Sequence, residues 1–148
     1  MKMLFFGKIL LLFCFIFGAD TFAIAQENDI VGTWKTIDDE TEKERSWVEI
    51  YKQGTKYFGK ITKIYLRPGE KPDAVCEKCT DHRKNQKVMG LVIIENMQKQ
   101  GDVWTGGKIL DPSNGQVYSC KMWLEQGVLK VRGYWGIFYR TQNWYRVK

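Results

Sequence analysis

The sequence predicts an all-β chain in which about eight antiparallel strands wind up and down into one closed barrel, behind a cleaved amino-terminal segment. Three observations predict it. Strand-like runs rich in β-branched and aromatic residues recur over residues 30–147, separated mostly by short turns built on Gly, Pro and Asn. No segment beyond residue 25 keeps the three- and four-residue apolar spacing of a convincing helix, one turn near Asp81 to Gln86 excepted. A sequential antiparallel set of this size escapes its exposed edges by curling until first and last strands meet. A two-layer sandwich is the alternative that turn spacing leaves open.

Residues 103–134 show the pattern most plainly. Asp111-Pro112-Ser113-Asn114-Gly115 is a turn, with Pro112 presetting φ and Gly115 free to take a positive one, and Glu125-Gln126-Gly127 is a second. Between them Tyr118, Cys120, Met122 and Leu124 fall on one face, and Ser119, Lys121 and Glu125 on the other, the alternation of a half-buried strand. Taken from the beginning, a first strand over 30–36 leads into a charged loop over 38–44. A second strand over 46–51 sets Trp47 and Tyr51 against Val48 and Ile50, and a third spans 56–65, where Gly59 marks a bend or bulge.

The connection over 66–87 is too long for a simple turn and carries Pro68-Gly69, Pro72, Cys76, Cys79 and His82. The fourth strand, 88–97, is apolar on both faces at Leu91-Val92-Ile93-Ile94, as expected of a strand buried on both faces or packed beneath that connection. Strands follow over 103–110 and 116–125, then over 128–134, where Leu129 and Val131 oppose Lys130 and Arg132. Gly106-Gly107 reads as a barrel corner or a close backbone approach. An aromatic linker, 135–139, precedes the last strand, 140–147.

The amino terminus reads as an export signal. Lys2 and Lys8 are basic, residues 9–17 are continuously apolar, and Ala23-Ile24-Ala25 gives the small-x-small pattern of cleavage after Ala25. That apolar run is shorter than the roughly 20 residues of a spanning helix, so no transmembrane segment is expected in the mature chain. Cys14 lies inside the run, not at the cleavage site, which speaks against a lipid anchor. The expected location is the periplasm or outside the cell.

Cleavage leaves 123 of 148 residues, enough for one domain, with 21 basic and 16 acidic side chains and a formal charge of +5. This balance favours anionic partners such as envelope lipid headgroups or polyanionic sugars. Nucleic acid is not expected, since no clustered basic run sits in a nucleic-acid motif. The oligomeric state is left open.

Gly32-x-Trp34 at the start of the first strand resembles the lipocalin-type signature, in which the tryptophan plugs the closed base of an up-and-down barrel beneath a basic side chain from the final strand. With an even number of strands, the start of the first and the end of the last share one rim, so Gly32, Trp34 and Arg146 are the expected closure. Arg140, at the opposite end, is the runner-up. A wider resemblance spans Val31-Gly32-Thr33-Trp34, Cys76-x-x-Cys79, Gly106-Gly107-Lys108-Ile109-Leu110-Asp111-Pro112, Leu129-Lys130-Val131-Arg132-Gly133-Tyr134 and Arg140-Thr141-Gln142-x-Trp144. These resemble the family catalogued as domain of unknown function 2147, small exported bacterial proteins. The resemblance implies a lipocalin-like β-barrel and carries no substrate, cofactor or catalytic residue with it.

The densest chemistry is Cys76-Glu77-Lys78-Cys79-Thr80-Asp81-His82, which with Cys120 holds every cysteine beyond the signal and the sole histidine. An oxidising compartment favours a structural disulfide between Cys76 and Cys79, with Cys120 a buried thiol. Pairing of Cys120 with a loop cysteine, a tetrahedral zinc site on Cys76, Cys79, His82 and Cys120, and a thiol redox site are the alternatives. No metal or cofactor is expected on the first reading.

Six tryptophans and seven tyrosines, against one phenylalanine in a predicted strand, Phe58, suit either a packed core or a pocket for an amphipathic ligand. Packing is the favoured use, because small barrels fill their interior with side chains. If a pocket exists, face parity and the rim argument choose Trp34, Tyr118, Met122 and Arg146 to line it. The acidic residues Asp38, Asp39, Glu40, Glu42 and Glu44 read as a solvated loop, and no nucleophile elbow or phosphate-cradling loop is present. The functional expectation is a non-enzymatic barrel binding a small amphipathic molecule or an envelope component. The rivals are a solid-cored module docking through Trp47 and Trp123, and a redox or metal protein centred on Cys76 and Cys79.

Overall fold

Alternation of apolar and polar side chains gives each strand one face to bury, and closing the sheet on itself buries all those faces together. In a computed structural model describing residues 29–148, the strands are β1 (Gly32–Ile37), β2 (Glu44–Gln53), β3 (Lys56–Ile64), β4 (Val92–Gln100), β5 (Val103–Asp111), β6 (Gln116–Glu125), β7 (Val128–Trp135) and β8 (Phe138–Arg146). Each pairs antiparallel with the next and β8 returns to β1, so the sheet is a closed barrel and the sandwich is excluded. The expected export signal, residues 1–25, lies outside the described residues. Among those described, no helix is long and apolar enough to cross a membrane.

Cross-strand partners identify the inner face. Trp104, Met122 and Val131 are opposite one another across β5, β6 and β7, as are Ile109 with Tyr118 and Gly107 with Cys120. Val48, Ile50, Ile94, Met97, Leu129 and Trp144 are likewise buried, and the rings of Tyr57 and Trp104 meet edge to face 6.0 Å apart.

The closure rests on one stack. Trp34 is fully buried and its Nε1–H donates to Ile30 O at 2.8 Å, while the Arg146 guanidinium lies 4.4 Å above the indole. Arg146 Nη1 and Nη2 donate to the carbonyls of Val31 (3.0 Å) and Asp29 (2.8 Å), so one cation covers the ring and satisfies the incoming backbone. Trp34 faces Arg146 in the β1–β8 ladder, Lys35 faces Tyr145, and Val147 N–H donates to Thr33 O at 2.9 Å. Gly32 takes φ +132°, and a Cβ there would lie 2.8 Å from Arg146 Nη1, so the position is closed to larger residues. Arg140 sits at the other end of the barrel, paired with Asp39.

Residues 65–91 fold over the outside of β4 and β5. Ile93 and Leu110 alternate with inward-facing neighbours yet are only 6% and 2% exposed, because this segment covers them. Cys76 and Cys79 are joined in a disulfide and fully buried, with Cys76 Sγ 3.7 Å from Pro112 O. A Cβ on Gly115 would fall 2.0 Å from Lys78 O, so the β5–β6 turn docks directly on the disulfide loop. Arg83, 3% exposed, donates to Val92 O at 3.1 Å and is paired with Asp81 and Glu95.

Several boundaries differ from expectation. β4 begins at Val92 and not at residue 88, because Gly90 takes φ +86° and a turn brings Leu91 N–H to Val88 O. Residues 81–86 form hydrogen-bonded turns that Asn85, at φ +59°, ends before any helix starts. The aromatic linker is itself strand: Trp135 pairs with Phe138 across the turn at Gly136 and Ile137.

Replacing the closing cation tests its share of the stability. Arg146→Ala leaves two carbonyls and an indole face uncovered and lowers unfolding free energy by about 2–4 kcal/mol. Arg146→Lys recovers only part, since an ammonium lacks the planar fork; urea titration of both variants checks this, and full recovery by lysine would contradict it. Separately, hydrogen bonds from Arg83 hold the Asp81 carboxyl down at about 2, below its ordinary 3.8. A depressed folded-state value means stability that is complete above pH 4 and is lost as pH falls through about 2. Asp81→Asn is therefore most costly above pH 4, and its difference from the parent in urea midpoint narrows toward pH 2.

Candidate functional site

The base of the barrel is filled and its opposite end is not. The β1–β2 loop, residues 65–91, the β5–β6 turn and the β7–β8 hairpin surround a cavity of about 1090 Å³, which joins the barrel mouth to the crevice between residues 65–91 and the outward-facing Ile93 and Leu110. Its depth is apolar: Ile61, Ile109, Val131 and Trp144 form the floor. Above them runs a polar belt, in which the Thr36 and Ser46 hydroxyls share a hydrogen bond of 2.8 Å. Trp144 Nε1–H donates to Gln142 Oε1 at 3.3 Å, and Gln142 Nε2–H donates to Asp39 Oδ2 at 3.2 Å.

The rim carries both signs in pairs. Arg45 forms a two-pronged contact with Glu70 at 2.7 and 2.8 Å, Arg67 pairs with Asp38, and Arg140 pairs with Asp39. Asp38 is 7% exposed, and its Oδ1 also accepts the N–H groups of Glu40 (3.1 Å) and Thr41 (2.8 Å). Near the base the β1–β8 seam is closed by backbone, and toward the rim by side chains of Asp39, Arg140 and Gln142. An apolar floor, a hydrogen-bonding belt and a charge-balanced rim can hold a molecule with an apolar body and a polar head.

Of the four expected lining residues only Tyr118 lines this cavity. Trp34 and Met122 face the interior but at its filled end, fully buried, and Arg146 caps that end from below. Face parity selects the interior without selecting the height along the strand, so Ile61, Val131, Gln142 and Trp144 were missed. Distance from the nearest mouth-side turn is the signal that separates the two heights. The acidic loop is also more than a solvated one, since Asp38 and Asp39 are rim residues; the Asp38-x-x-Thr41 spacing marks the capped turn that buries Asp38.

The described cysteines divide into a buried disulfide and a free thiol. Cys76 and Cys79 bond to each other with Cα atoms 5.4 Å apart, which leaves no loop thiolate for zinc and no bond to Cys120. Among the described residues, no group of three or more His, Cys, Asp or Glu is placed to hold a metal ion. Cys120 is a free thiol inside the barrel, and burial pushes it up to about 12, so it stays protonated at neutral pH. His82 lies outside the cavity with Nε2 3.3 Å from Glu95 Oε1.

Comparison with known proteins agrees with this geometry. No curated protein matches the chain. Among solved structures, HP1028 from the human pathogen Helicobacter pylori, described as belonging to the lipocalin family, is similar with a TM-score of 0.68 and 19% identity. The match covers 81% of this chain and 84% of that one, and at this identity it shows a shared lipocalin-like fold. The family model described as an uncharacterized protein conserved in bacteria, DUF2147, matches residues 32–146, from the glycine of the closure to its arginine, and the chain belongs to that family.

Proposed function

We propose that this protein is an exported, non-enzymatic carrier that takes up a small amphipathic molecule, apolar end first, through the open mouth of its barrel. The observation that carries the reading is the apolar floor and polar belt of the barrel mouth, within a cavity whose full volume of about 1090 Å³, the outer crevice included, leaves room for a small-molecule site. Charge balance at the rim favours a ligand recognised by hydrogen bonds over one selected for net charge. The amino-terminal signal pattern and the buried disulfide support export. A non-enzymatic role is supported by the protonated Cys120 thiol and by the separation of the sole histidine from the cavity.

The solid-cored alternative draws no support from the rings proposed for it. Trp47 and Trp123 are only half-exposed, and Lys63 and Arg132 cover their faces at 4.2 and 4.9 Å.

Titration with the amphipathic fluorophore 1-anilinonaphthalene-8-sulfonate, followed by displacement with a long-chain fatty acid, tests the carrier reading. Val131→Trp fills the floor and is expected to weaken probe binding at least about tenfold, equivalent to 1.4 kcal/mol. Trp123→Ala, on the outer face, is expected to leave binding unchanged. Equal affinity in parent and Val131→Trp proteins of matched thermal stability would sink the reading.

A further inference from the structure

The β7–β8 hairpin ends in an apolar tip that stands at the cavity mouth, and its most exposed residue, Ile137, lies outside the cavity lining. Trp135, Ile137, Phe138 and Tyr139 are 66%, 89%, 69% and 62% exposed, and no charged side chain lies between Arg132 and Arg140. Soluble barrels rarely leave four large apolar side chains in the open at one turn. The tip is a narrow convex turn, a shape that inserts between mobile molecules more readily than it matches a flat protein face. A tryptophan and a tyrosine beside aliphatic and phenyl side chains is the composition of a membrane interface.

Charge points the same way. Of the cations on strands β6, β7 and β8, Lys130 pairs with Glu125, Arg140 pairs with Asp39 and Arg146 closes the base, which leaves Lys121 and Arg132 on the outer face below the tip. Lys121 and Arg132 are direct cross-strand neighbours, an arrangement of like charges that weakens a sheet unless an anion offsets it. Arg132 stacks 4.3 Å from the Tyr139 ring, which ties this cationic face to the tip. The acidic β1–β2 loop lies on the other side of β8, where Asp39 is taken up by Arg140 and Gln142.

From the exposed tip and the adjoining Lys121 and Arg132 we infer that the β7–β8 hairpin docks on an anionic lipid surface. Ile137 and its aromatic neighbours enter the interface, and Lys121 and Arg132 face the headgroups. Trp135, Phe138 and Tyr139 also line the cavity mouth, so docking sets that mouth against the bilayer. The hairpin's exposure and charge carry this inference independently of any ligand in the cavity.

Vesicle flotation tests it, using vesicles of phosphatidylethanolamine and phosphatidylglycerol and the exported chain with its amino terminus verified by mass spectrometry. The parent is expected to float, with a blue shift of tryptophan emission. Ile137→Asp changes a side chain that does not line the cavity and is expected to weaken vesicle binding at least about tenfold while probe binding persists. Lys121→Gln is expected to weaken it about fivefold on these vesicles and not on phosphatidylcholine alone. A parent that stays at the bottom of the gradient, an Ile137→Asp variant that floats equally well, or a dimer in solution that Ile137→Asp dissolves would each overturn the inference.

Discussion

The stack of the Arg146 guanidinium on Trp34 is the contact on which the architecture depends, because it lies where the two ends of the chain must meet. A closed sheet has no edges only if its first and last strands find each other, and that pairing spans the largest sequence separation in the molecule. The β1–β8 ladder holds two residue pairs and one further backbone hydrogen bond, the shortest seam in the barrel. The side chains at its foot therefore carry much of the closure. A planar cation suits that position, since one face covers the indole while its edge satisfies two carbonyls of the entering strand.

This seal divides the barrel into unequal halves. Below, Trp34, Trp104, Met97, Met122 and Leu129 pack without access to solvent. Above, the β1–β8 ladder ends at Lys35 and Tyr145, and Asp39 bridges to β8 through the side chains of Arg140 and Gln142. The disulfide-stapled segment 65–91 builds up the opposite wall, covering Ile93 and Leu110 outside while its edge helps to frame the mouth. Filled base and open mouth are thus consequences of where the backbone pairs and where side chains substitute for it.

Much of this was legible from residue order. Alternation in β6, the turns at 112–115 and 126–127 and the need to remove sheet edges favoured a barrel over a sandwich; the resemblance of Gly32-x-Trp34 to the lipocalin-type signature, with the even strand count, placed Gly32, Trp34 and Arg146 at one rim. Two apolar faces at Ile93 and Ile94 foretold a cover over β4. What escaped depends on geometry that alternation does not encode. Trp34 and Met122 have the parity of lining residues but lie at the wrong height, and Asp38 reads as solvated until its capped turn is seen. The run 135–139 reads as a linker, because Gly136 interrupts an aromatic stretch that is in fact a strand pair with its tip in solvent.

Amide hydrogen exchange across the β1–β8 seam tests the closure most directly. With the barrel sealed at its base, the amide of Val147, hydrogen-bonded to Thr33 O, exchanges as slowly as those of Val131 and Trp144 in the interior ladder, and opens only with global unfolding. Exchange of Val147 at the rate of the exposed residues 137–139, in a chain otherwise folded, would mean that β1 and β8 are free edges, and the closed vessel would not exist.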